Sequence, residues 1–252
     1  KIYKFTGGIL MTKFTEVKAS TYDEMSREAA KIIFDDLKAK KDTVLGLATG
    51  STPEGMYDQL ATMINEADLD LSEVTTFNLD EYVGLDEDND QSYHYFMDKN
   101  LFSKIDIPKE NIHILNGVAD DIEKEVKEYE ALIDEKGIDV QVHGIGRNGH
   151  IAFNEPGTSF DSLTQRVHLT DETIEDNARF FEKKEDVPTE ALSMGLATIM
   201  KAKKIILLIS GANKQEARDL FVSGEVSEDV PVSILHNHPN VILLTDSEAR
   251  GE

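Results

Sequence analysis

The sequence contains no cysteine among its 252 residues. This absence excludes a scaffold held by disulfides, a zinc or iron–sulfur centre ligated by cysteine, and a cysteine nucleophile. A chain of this length buries about 70–75% of the surface that its unfolded form exposes, so it needs no disulfides to hold a core. Its length fits one large α/β domain or two small ones.

Positive charge is scarce. Lys and Arg total 26 against 49 Asp and Glu, which gives a formal net charge of −23. Proteins that bind nucleic acid bring a positive field to its phosphates, and proteins that dock on anionic lipid do the same. The charge balance therefore argues against nucleic acid and against a membrane surface as partners.

Long apolar runs are also missing, since no stretch of about 18 apolar residues occurs. The first ten residues, KIYKFTGGIL, are basic and apolar, and Met11 follows them. They lack the longer apolar stretch and the small-residue cleavage site of a secretory signal. We expect residues 1–10 to be a leader or an expression remnant, residues 11–252 to form a single domain, and the protein to be cytoplasmic.

Short apolar segments alternate with helical periodicity along the chain. The predicted strands cover residues 44–48, 74–79, 111–115, 139–145, 204–210 and 240–245. The predicted helices cover residues 20–40, a segment that begins at Pro53, and residues 93–102, 119–136, 189–201 and 213–222. This alternation is typical of a three-layer α/β fold, with a mostly parallel, Rossmann-like sheet and helices on both faces. Residues 156–187 are polar and weakly periodic, which predicts a flap over the active site.

Ligands of such sheets bind at the carboxyl ends of the strands, so the turns that leave strands are the candidate sites. The first turn is Gly50-Ser51-Thr52, followed by Pro53 where a helix begins. It offers backbone N–H groups, hydroxyls and the positive end of a helix, which together suit a phosphate group. The alternative is an ordinary helix cap. The lysine of a Walker loop is absent.

The second turn places Asp80 and Glu81 directly after an apolar strand, in TTFNLDEYVGL. A carboxylate at the mouth of a parallel sheet is partly desolvated, and desolvation raises its pKa toward the range of a general base. The alternative is an acidic loop that faces water.

The third turn, in DVQVHGIGRNGHIAFNEPG, carries glycines with the GxGxxG spacing of a dinucleotide site. We reject that interpretation because the motif lies past mid-chain and no helical pattern follows it. His150 and Glu155 instead lie five residues apart in a tight loop, with Asn148 beside them. There a carboxylate can orient the imidazole and stabilise its charged form.

No metal site is predicted. The acidic run at residues 86–90 resembles a calcium loop, but Gln91 stands where glycine is needed and Met97 where glutamate is needed. His236 and His238 have the spacing of a metal pair, yet no third ligand is evident. We interpret the histidines other than His150 as structural, and we expect neither metal nor cofactor.

Taken together, these segments resemble the glucosamine-6-phosphate deaminase family from about residue 11 onward. The strongest matches are LATGSTP (47–53), FNLDEYVGL (77–85), SYHYFMDKNLF (92–102) and GIGRNGHIAFNEPGTSF (144–160). GHIAFNEPG is highly specific, whereas the Gly-Ser-Thr turn is shared with related sugar-phosphate enzymes. The resemblance implies that glucosamine 6-phosphate and water give fructose 6-phosphate and ammonia, in amino-sugar catabolism.

The resemblance also implies roles for individual residues. Asp80 would be the base that moves a proton between carbon 2 and carbon 1, His150 would open the sugar ring, and Glu155 would orient and tune His150. Many family members carry Asp where this chain has Asn148, so we expect the ring-opening pair to titrate differently here. The residues implied in phosphate binding are Gly50, Ser51, Thr52, Arg179 and Lys214.

The net charge gives a separate reason to expect Arg179 and Lys214 in the site, because a dianionic substrate approaching an acidic protein needs a local positive pocket. A solvated helix face for Arg179 and a simple helix start for Lys214 are the alternatives. Some family members have an allosteric site with basic residues after the EP segment and a longer carboxyl-terminal tail. The segment TSFDSLTQRVHL has few cations here, so we expect no such activation. The oligomeric state stays open between monomer and homo-oligomer.

Two other functions remain in competition at this point. A hydrolase similar to 6-phosphogluconolactonase would share the glycine-bounded histidine and the phosphate turn. A sugar-phosphate-sensing domain of a transcription regulator would need a basic helix-turn-helix segment, for which this acidic chain has no room. FNLDEY and AFNEP favour the deaminase.

Overall fold

The computed structural model describes residues 3–5, 8–10 and 14–252. The interpretation of residues 1–10 as a leader therefore falls partly outside the described residues. The strands are β1 (Tyr3–Phe5), β2 (Gly8–Leu10), β3 (Phe14–Lys18), β4 (Val44–Leu47), β5 (Thr75–Asn78), β6 (Asp80–Tyr82), β7 (Ile112–His113), β8 (Val140–His143), β9 (Gln165–His168), β10 (Glu190–Ser193), β11 (Lys204–Ile209) and β12 (Val241–Thr245). The α-helices are α1 (Tyr22–Ala39), α2 (Glu54–Glu66), α3 (Tyr93–Asn100), α4 (Ile122–Lys136), α5 (Asp171–Asn177), α6 (Leu196–Met200), α7 (Gln215–Val222) and α8 (Ser247–Arg250).

A seven-stranded parallel sheet forms the centre of the fold, in the order β3-β12-β11-β8-β4-β5-β7. From β4 the chain first adds β5 and β7 on one side, and then returns to add β8, β11 and β12 on the other. The strand order therefore reverses between β4 and β8, and the loops that leave these strands diverge to open a crevice. The predicted parallel sheet is confirmed.

Apolar side chains cover both faces of this sheet, as the three-layer prediction requires. Along β11, Ile205 and Leu207 belong to one buried cluster, whereas Ile206 and Leu208 belong to the other. Helices α4, α6 and α7 pack on the first face, and α1 and α2 pack on the second. Burial on both faces explains why the strands are continuous apolar runs rather than alternating ones.

A smaller antiparallel sheet, in the order β6-β10-β9, accounts for two departures from the predicted elements. The single helix predicted over residues 189–201 is wrong, because its first half is strand β10, paired on both sides, and only α6 is helical. Between them lies Gly195, where a Cβ would come within 2.2 Å of the Ser162 backbone oxygen. Asp80 begins strand β6 rather than lying in an open turn.

The segment 156–187 contributes β9 and α5 and has a small core of its own. Leu169 packs with Tyr82 and Phe153 in a cluster separate from the two that cover the main sheet. The part around α5, with the 3-10 turn Ala178–Phe180 that follows it, lines the cleft described below. The segment thus covers the site, as predicted, and is anchored to the small sheet.

Other boundaries differ from the predictions by a few residues. The strand predicted over 111–115 shortens to β7, and the helix predicted over 213–222 divides into the 3-10 turn Ala212–Lys214 and α7. Within the described residues, none of the helices combines the length and apolarity that crossing a membrane requires.

Candidate active site

A cleft of about 1040 Å³ opens where β4, β5, β8 and β11 end. These four strands are neighbours in the sheet, so the turns that follow them meet at one edge. Most of the predicted site residues line this cleft, namely Gly50, Ser51, Thr52, Asp80, His150, Arg179 and Lys214. The other two, Asn148 and Glu155, contact His150. The structure therefore brings the whole predicted set together.

Two tyrosines, the buried Tyr57 and the partly buried Tyr22, hold the turn that leaves β4. The Tyr57 hydroxyl donates to the Ala48 backbone oxygen at 2.5 Å and accepts from the Ala48 N–H at 3.1 Å, which fixes the end of the strand. The Tyr22 hydroxyl lies 3.0 and 2.9 Å from the backbone oxygens of Ser51 and Thr52. Because the Tyr22 hydroxyl binds the backbone oxygens of the turn, the hydroxyls and N–H groups of the turn remain for a ligand.

The same turn depends on a glycine and leads into a helix. Gly50 has φ +94°, a conformation that side chains disfavour, and its position is exposed. Helix α2 begins at Glu54, directly after Pro53, which provides no side-chain cap. In its first turn the Gly55 N–H donates to the Tyr22 hydroxyl at 2.9 Å. An anion at this place would therefore meet the N–H groups of the preceding turn, with the helix dipole in its favour.

Asp80 lies at the base of the cleft and is only 7% exposed. Burial raises the pKa of its carboxyl to about 8, and the neighbouring charge of Glu81 adds to the rise. A carboxyl that titrates near neutral pH can both accept and return a proton. The sequence-based prediction of a raised pKa at this strand end agrees in direction with this environment.

Glu81 points elsewhere, because adjacent residues of a strand face opposite sides. Its buried carboxylate accepts hydrogen bonds from the backbone N–H groups of Tyr82, Tyr93 and His94, at 2.8, 3.0 and 3.1 Å. Its Oε2 also lies 2.7 Å from Nδ1 of His94. Glu81 thus fastens the start of α3 to β6 and stays out of the cleft.

His150 belongs to a hydrogen-bonded group whose geometry fixes its tautomer. The Asn148 Nδ2 donates to Glu155 Oε2 at 3.1 Å, since a carboxylate can only accept. Asn148 Oδ1 therefore faces His150 Nδ1 at 2.7 Å, and Nδ1 must carry the hydrogen. In the neutral ring Nε2 is then left as a proton acceptor. Glu155 Oε2 lies 3.7 Å from Nδ1 and acts on the ring mainly through Asn148.

The charge of His150 is set by opposing neighbours. Burial lowers the pKa of its imidazole and Lys214 lowers it further, whereas the carboxylates of Glu155, Glu172 and Asp176 raise it. The imidazole ring lies so close to Gly146 that a Cβ there would come within 2.0 Å of it. The loop thus packs the His150 imidazole against its own backbone at Gly146.

Cationic groups gather on one wall of the cleft. Lys214 Nζ donates to the Ile145 backbone oxygen at 2.7 Å. Burial lowers the pKa of Lys214; Asp176 opposes this, while the cations of Arg147 and Arg179 add to it. Arg179 is exposed, with its guanidinium carbon 4.6 Å from the centre of the Phe180 ring. Lys214 and Arg179 thus both line the cleft, where the sequence analysis expected cations, and Asp176 lines it beside them.

Sequence reasoning missed several residues that line the cleft. Thr173 on α5 donates its hydroxyl to Glu155 Oε1 at 2.6 Å, and Arg147 pairs with Asp176 of the same helix at 2.5 Å. Tyr93 also lines the cleft, partly buried, and stacks on Phe153. Arg147 was visible as a cation next to His150, but Thr173 lies in the weakly periodic segment and gave no signal.

The remaining histidines have structural contacts. His236 and His238 each place Nε2 against a backbone oxygen, of Phe221 at 2.6 Å and of Ala202 at 2.5 Å, so they do not point to a common ligand. Burial lowers the pKa of His143 to about 3. Among residues 14–252 and the two short amino-terminal strands, no group of three or more His, Asp or Glu is placed to hold a metal ion.

Comparison with known proteins agrees with this architecture. Residues 16–243 match the family described as glucosamine-6-phosphate isomerases/6-phosphogluconolactonase. The glucosamine-6-phosphate deaminase of Thermoanaerobacter pseudethanolicus is 53% identical over 229 residues, which cover 90% of each chain. That of Clostridium acetobutylicum is 51% identical over 234 residues, covering 92% of this chain and 97% of the relative.

Solved structures show the same fold. A glucosamine-6-phosphate deaminase described as monomeric superposes with a TM-score of 0.92 at 48% identity, covering 94% of this chain and 99% of the other. A 6-phosphogluconolactonase from Thermotoga maritima superposes with a TM-score of 0.72 at 20% identity, covering 93% of this chain and 100% of the other, and this likeness shows the fold alone. On the family match and on relatives this similar over nearly their full length, the chain belongs to the glucosamine-6-phosphate isomerase/6-phosphogluconolactonase family.

Proposed function

We propose that this chain is a glucosamine-6-phosphate deaminase, which converts glucosamine 6-phosphate and water to fructose 6-phosphate and ammonia. The observation that carries the proposal is that a buried carboxyl, Asp80, and a neutral imidazole, His150, line one cleft whose wall carries Lys214 and Arg179. An aldose–ketose shift requires one carboxylate base and one ring-opening acid–base group, and this cleft holds both.

The phosphate is assigned to the turn that follows β4. Backbone N–H groups of the turn that precedes α2, with the hydroxyls of Ser51 and Thr52, form the binding site. Lys214 and Arg179 add charge-assisted hydrogen bonds, which are the strong ones for a phosphate dianion. These two cations offset the repulsion between an anionic substrate and an acidic protein.

Ring opening is assigned to His150. Its Nε2 accepts the proton of the hydroxyl on carbon 1 while the bond between carbon 1 and the ring oxygen breaks, and the ring oxygen then takes up that proton. Carbon 1 becomes an aldehyde, and the imidazole returns to its neutral state. Asn148 and Glu155 hold the ring and stabilise the transient imidazolium without entering the exchange.

Asp80 is assigned the proton transfer between carbons. Its carboxylate takes the proton from carbon 2 while the carbon 1 oxygen takes up a proton from the substrate ammonium group, which leaves an amino-enol. The Asp80 carboxyl then returns its proton to carbon 1, which gives a protonated imine at carbon 2. Water then adds to the imine, and ammonia leaves with formation of the ketone. A protonated amine on the bound substrate favours the ionised form of Asp80, which counteracts the raised pKa of the empty site.

A coupled assay for fructose 6-phosphate, run beside an ammonia assay, tests this function. We expect both products in equal amounts from glucosamine 6-phosphate, with the same rate in the presence of a chelator. Hydrolysis of 6-phosphogluconolactone without ammonia release would instead make the chain a lactonase. Tight sugar-phosphate binding without any turnover would make it a sensing domain.

The proposal extends to the location, domain organisation and oligomeric state of the enzyme. We place it in the cytoplasm, as a single catalytic domain over residues 11–252 that acts without cofactor. A monomeric state is supported by the relative described as monomeric, which this chain matches at 48% identity. Light scattering coupled to size-exclusion chromatography tests it, and a mass of two or more chains would contradict it.

A further inference from the structure

We propose that Thr173 is a positioning residue for ring opening, whose hydroxyl holds the Glu155 carboxylate in the orientation that keeps Asn148 and His150 aligned. The inference rests on the proposed function, because it concerns the histidine assigned to ring opening. Thr173 is not in the loop that carries the other members of the group. It lies on α5, eighteen positions beyond Glu155, in the segment that covers the cleft.

The hydrogen bonds run in one direction from α5 to the imidazole. The Thr170 hydroxyl caps α5 by accepting from the Thr173 N–H at 3.2 Å, and it donates to the Thr173 hydroxyl at 3.0 Å. Thr173 therefore uses its own hydrogen on Glu155 Oε1, at 2.6 Å. Glu155 Oε2 accepts from Asn148, whose oxygen accepts from His150 Nδ1. Each group has one consistent role, so the tautomer of His150 follows from the whole series.

The two oxygens of Glu155 explain why this hydroxyl matters. With Oε1 held by Thr173, Oε2 stays directed at the Asn148 amide. Without that bond, the carboxylate is free to turn, and the end of the Asn148 amide that faces His150 is then selected only by the His150 backbone N–H, which donates to Asn148 Oδ1 at 3.1 Å. In a family member with Asp in place of Asn148, a carboxylate presents an oxygen either way. The asparagine of this chain therefore makes the orientation of Glu155 more consequential.

The burial of the contact supports a built connection. Thr173 is 6% exposed and the Glu155 side chain 12% exposed. The Arg147–Asp176 pair ties α5 to the same loop at a second point. Four charged groups face His150. Glu155 comes from the same loop as His150, Lys214 from the 3-10 turn after β11, and Glu172 and Asp176 from α5. Docking of α5 thus brings both the positioning hydroxyl and two carboxylates to the imidazole.

The test compares Thr173→Val, which replaces the hydroxyl with a methyl group, with Thr173→Ser, which keeps the hydroxyl. The tautomer of His150 is read from ¹⁵N shifts of histidine-labelled protein, and kcat and KM are measured for glucosamine 6-phosphate. We expect the Val variant to lose the pure Nδ1–H tautomer and to lose about tenfold in kcat, as is typical for loss of a hydrogen bond to a charged group. Its KM should stay within about twofold, and the Ser variant should restore both readouts.

Thr164→Val is the matched control. The Thr164 hydroxyl also donates at 2.6 Å to a buried carboxylate, that of Glu130, which does not line the cleft. It should lose stability much as Thr173→Val does, with unchanged kcat and an unchanged His150 tautomer. Should Thr173→Val fail to fold, Thr173→Ala gives the same comparison without the added methyl group.

Wild-type tautomer and kcat in the folded Thr173→Val or Thr173→Ala variant would overturn the inference, as would equal losses in Thr164→Val. The tautomer does not depend on turnover. A tautomer change in the variant together with no deaminase activity in the wild-type chain would support the positioning role and overturn the proposed function instead.

Discussion

Asp80 and Glu81 show how two adjacent carboxylates receive different environments from one short strand. Glu81 accepts several backbone hydrogen bonds at the start of α3, whereas Asp80 is buried beside the cleft with burial as the main influence on its pKa. Hydrogen bonds to N–H groups stabilise a carboxylate, and desolvation destabilises it. The residue with the uncompensated carboxyl is therefore the one suited to exchange a proton.

This environment makes a prediction about stability. The pKa of Asp80 is about 8 in the folded chain, against about 3.9 for an unfolded aspartate. Between these values the folded state holds a proton that the unfolded chain releases, so this group lowers the free energy of unfolding as pH rises. Asp80→Asn cannot ionise and should gain stability relative to wild type from about pH 4 to about pH 8, by at most on the order of 5 kcal/mol.

Urea unfolding at several pH values within this window measures the effect. The two proteins should differ least at the acidic end, where the Asp80 carboxyl is protonated in both states. A difference that does not change with pH would show that Asp80 is not strongly desolvated.

The position of Lys214 in the cleft predicts that its cation contributes to substrate binding. Lys214→Ala removes a half-buried cation from the cleft, and a charge-assisted contact contributes about 1.5–3 kcal/mol, so KM should rise about ten- to a hundredfold. Lys203→Ala is the control, since Lys203 precedes β11 at the end away from the cleft and pairs with Asp139. Equal KM values for wild type and Lys214→Ala in steady-state kinetics would remove Lys214 from the phosphate site.

At the scale of elements, the loop between β8 and β9 carries His150, the residue proposed to open the sugar ring, and close packing shapes this loop. Gly146 lies under the His150 ring, whereas a Cβ added at Gly144 meets open space. Gly146→Ala should therefore displace the imidazole, shift its NMR signals and lower kcat at least about tenfold. Gly144→Ala should leave the His150 signals in place. Identical His150 spectra in both variants would contradict this packing.

The parallel strands were predictable because burial on both faces requires continuous apolar runs, and β11 shows this most clearly. The segment at 189–201 was not, because its strand is stabilised by pairing with β6 and β9, which lie far away in sequence. In the site, its place directly after an apolar strand pointed to Asp80, and a glycine-bounded turn at a strand end pointed to His150. The hydrogen bond from Thr173 to Glu155 depends on how α5 packs against the loop, and no local sequence pattern predicts that packing.

At the scale of the whole molecule, strand order brings the site together. The segments that carry Ser51, Asp80, His150 and Lys214 follow four strands that are adjacent in the sheet although up to about 160 residues separate these side chains in the chain. The molecule as a whole is acidic, with a formal net charge of −23. The cations that line the cleft, Lys214 and Arg179 among them, are therefore drawn from a minority of positive residues.

The same charge predicts a salt effect on stability. Self-repulsion of a strongly acidic protein weakens the compact state, and salt screens it. Raising sodium chloride from about 10 to about 200 mM at neutral pH should raise Tm, with a smaller effect near pH 5, where many carboxylates take up protons. Thermal unfolding followed by circular dichroism measures this. A Tm that falls with salt at neutral pH would contradict the argument.

The central claim is that Asp80 moves the proton between carbon 2 and carbon 1 of a sugar held in the shared cleft. The most direct measurement is NMR of deuterium exchange at carbon 2 of glucosamine 6-phosphate in D₂O, with wild type and Asp80→Asn at saturating substrate. We predict that the variant binds the sugar phosphate nearly as wild type does and loses exchange by at least about a hundredfold. Exchange at the wild-type rate in Asp80→Asn would contradict the account.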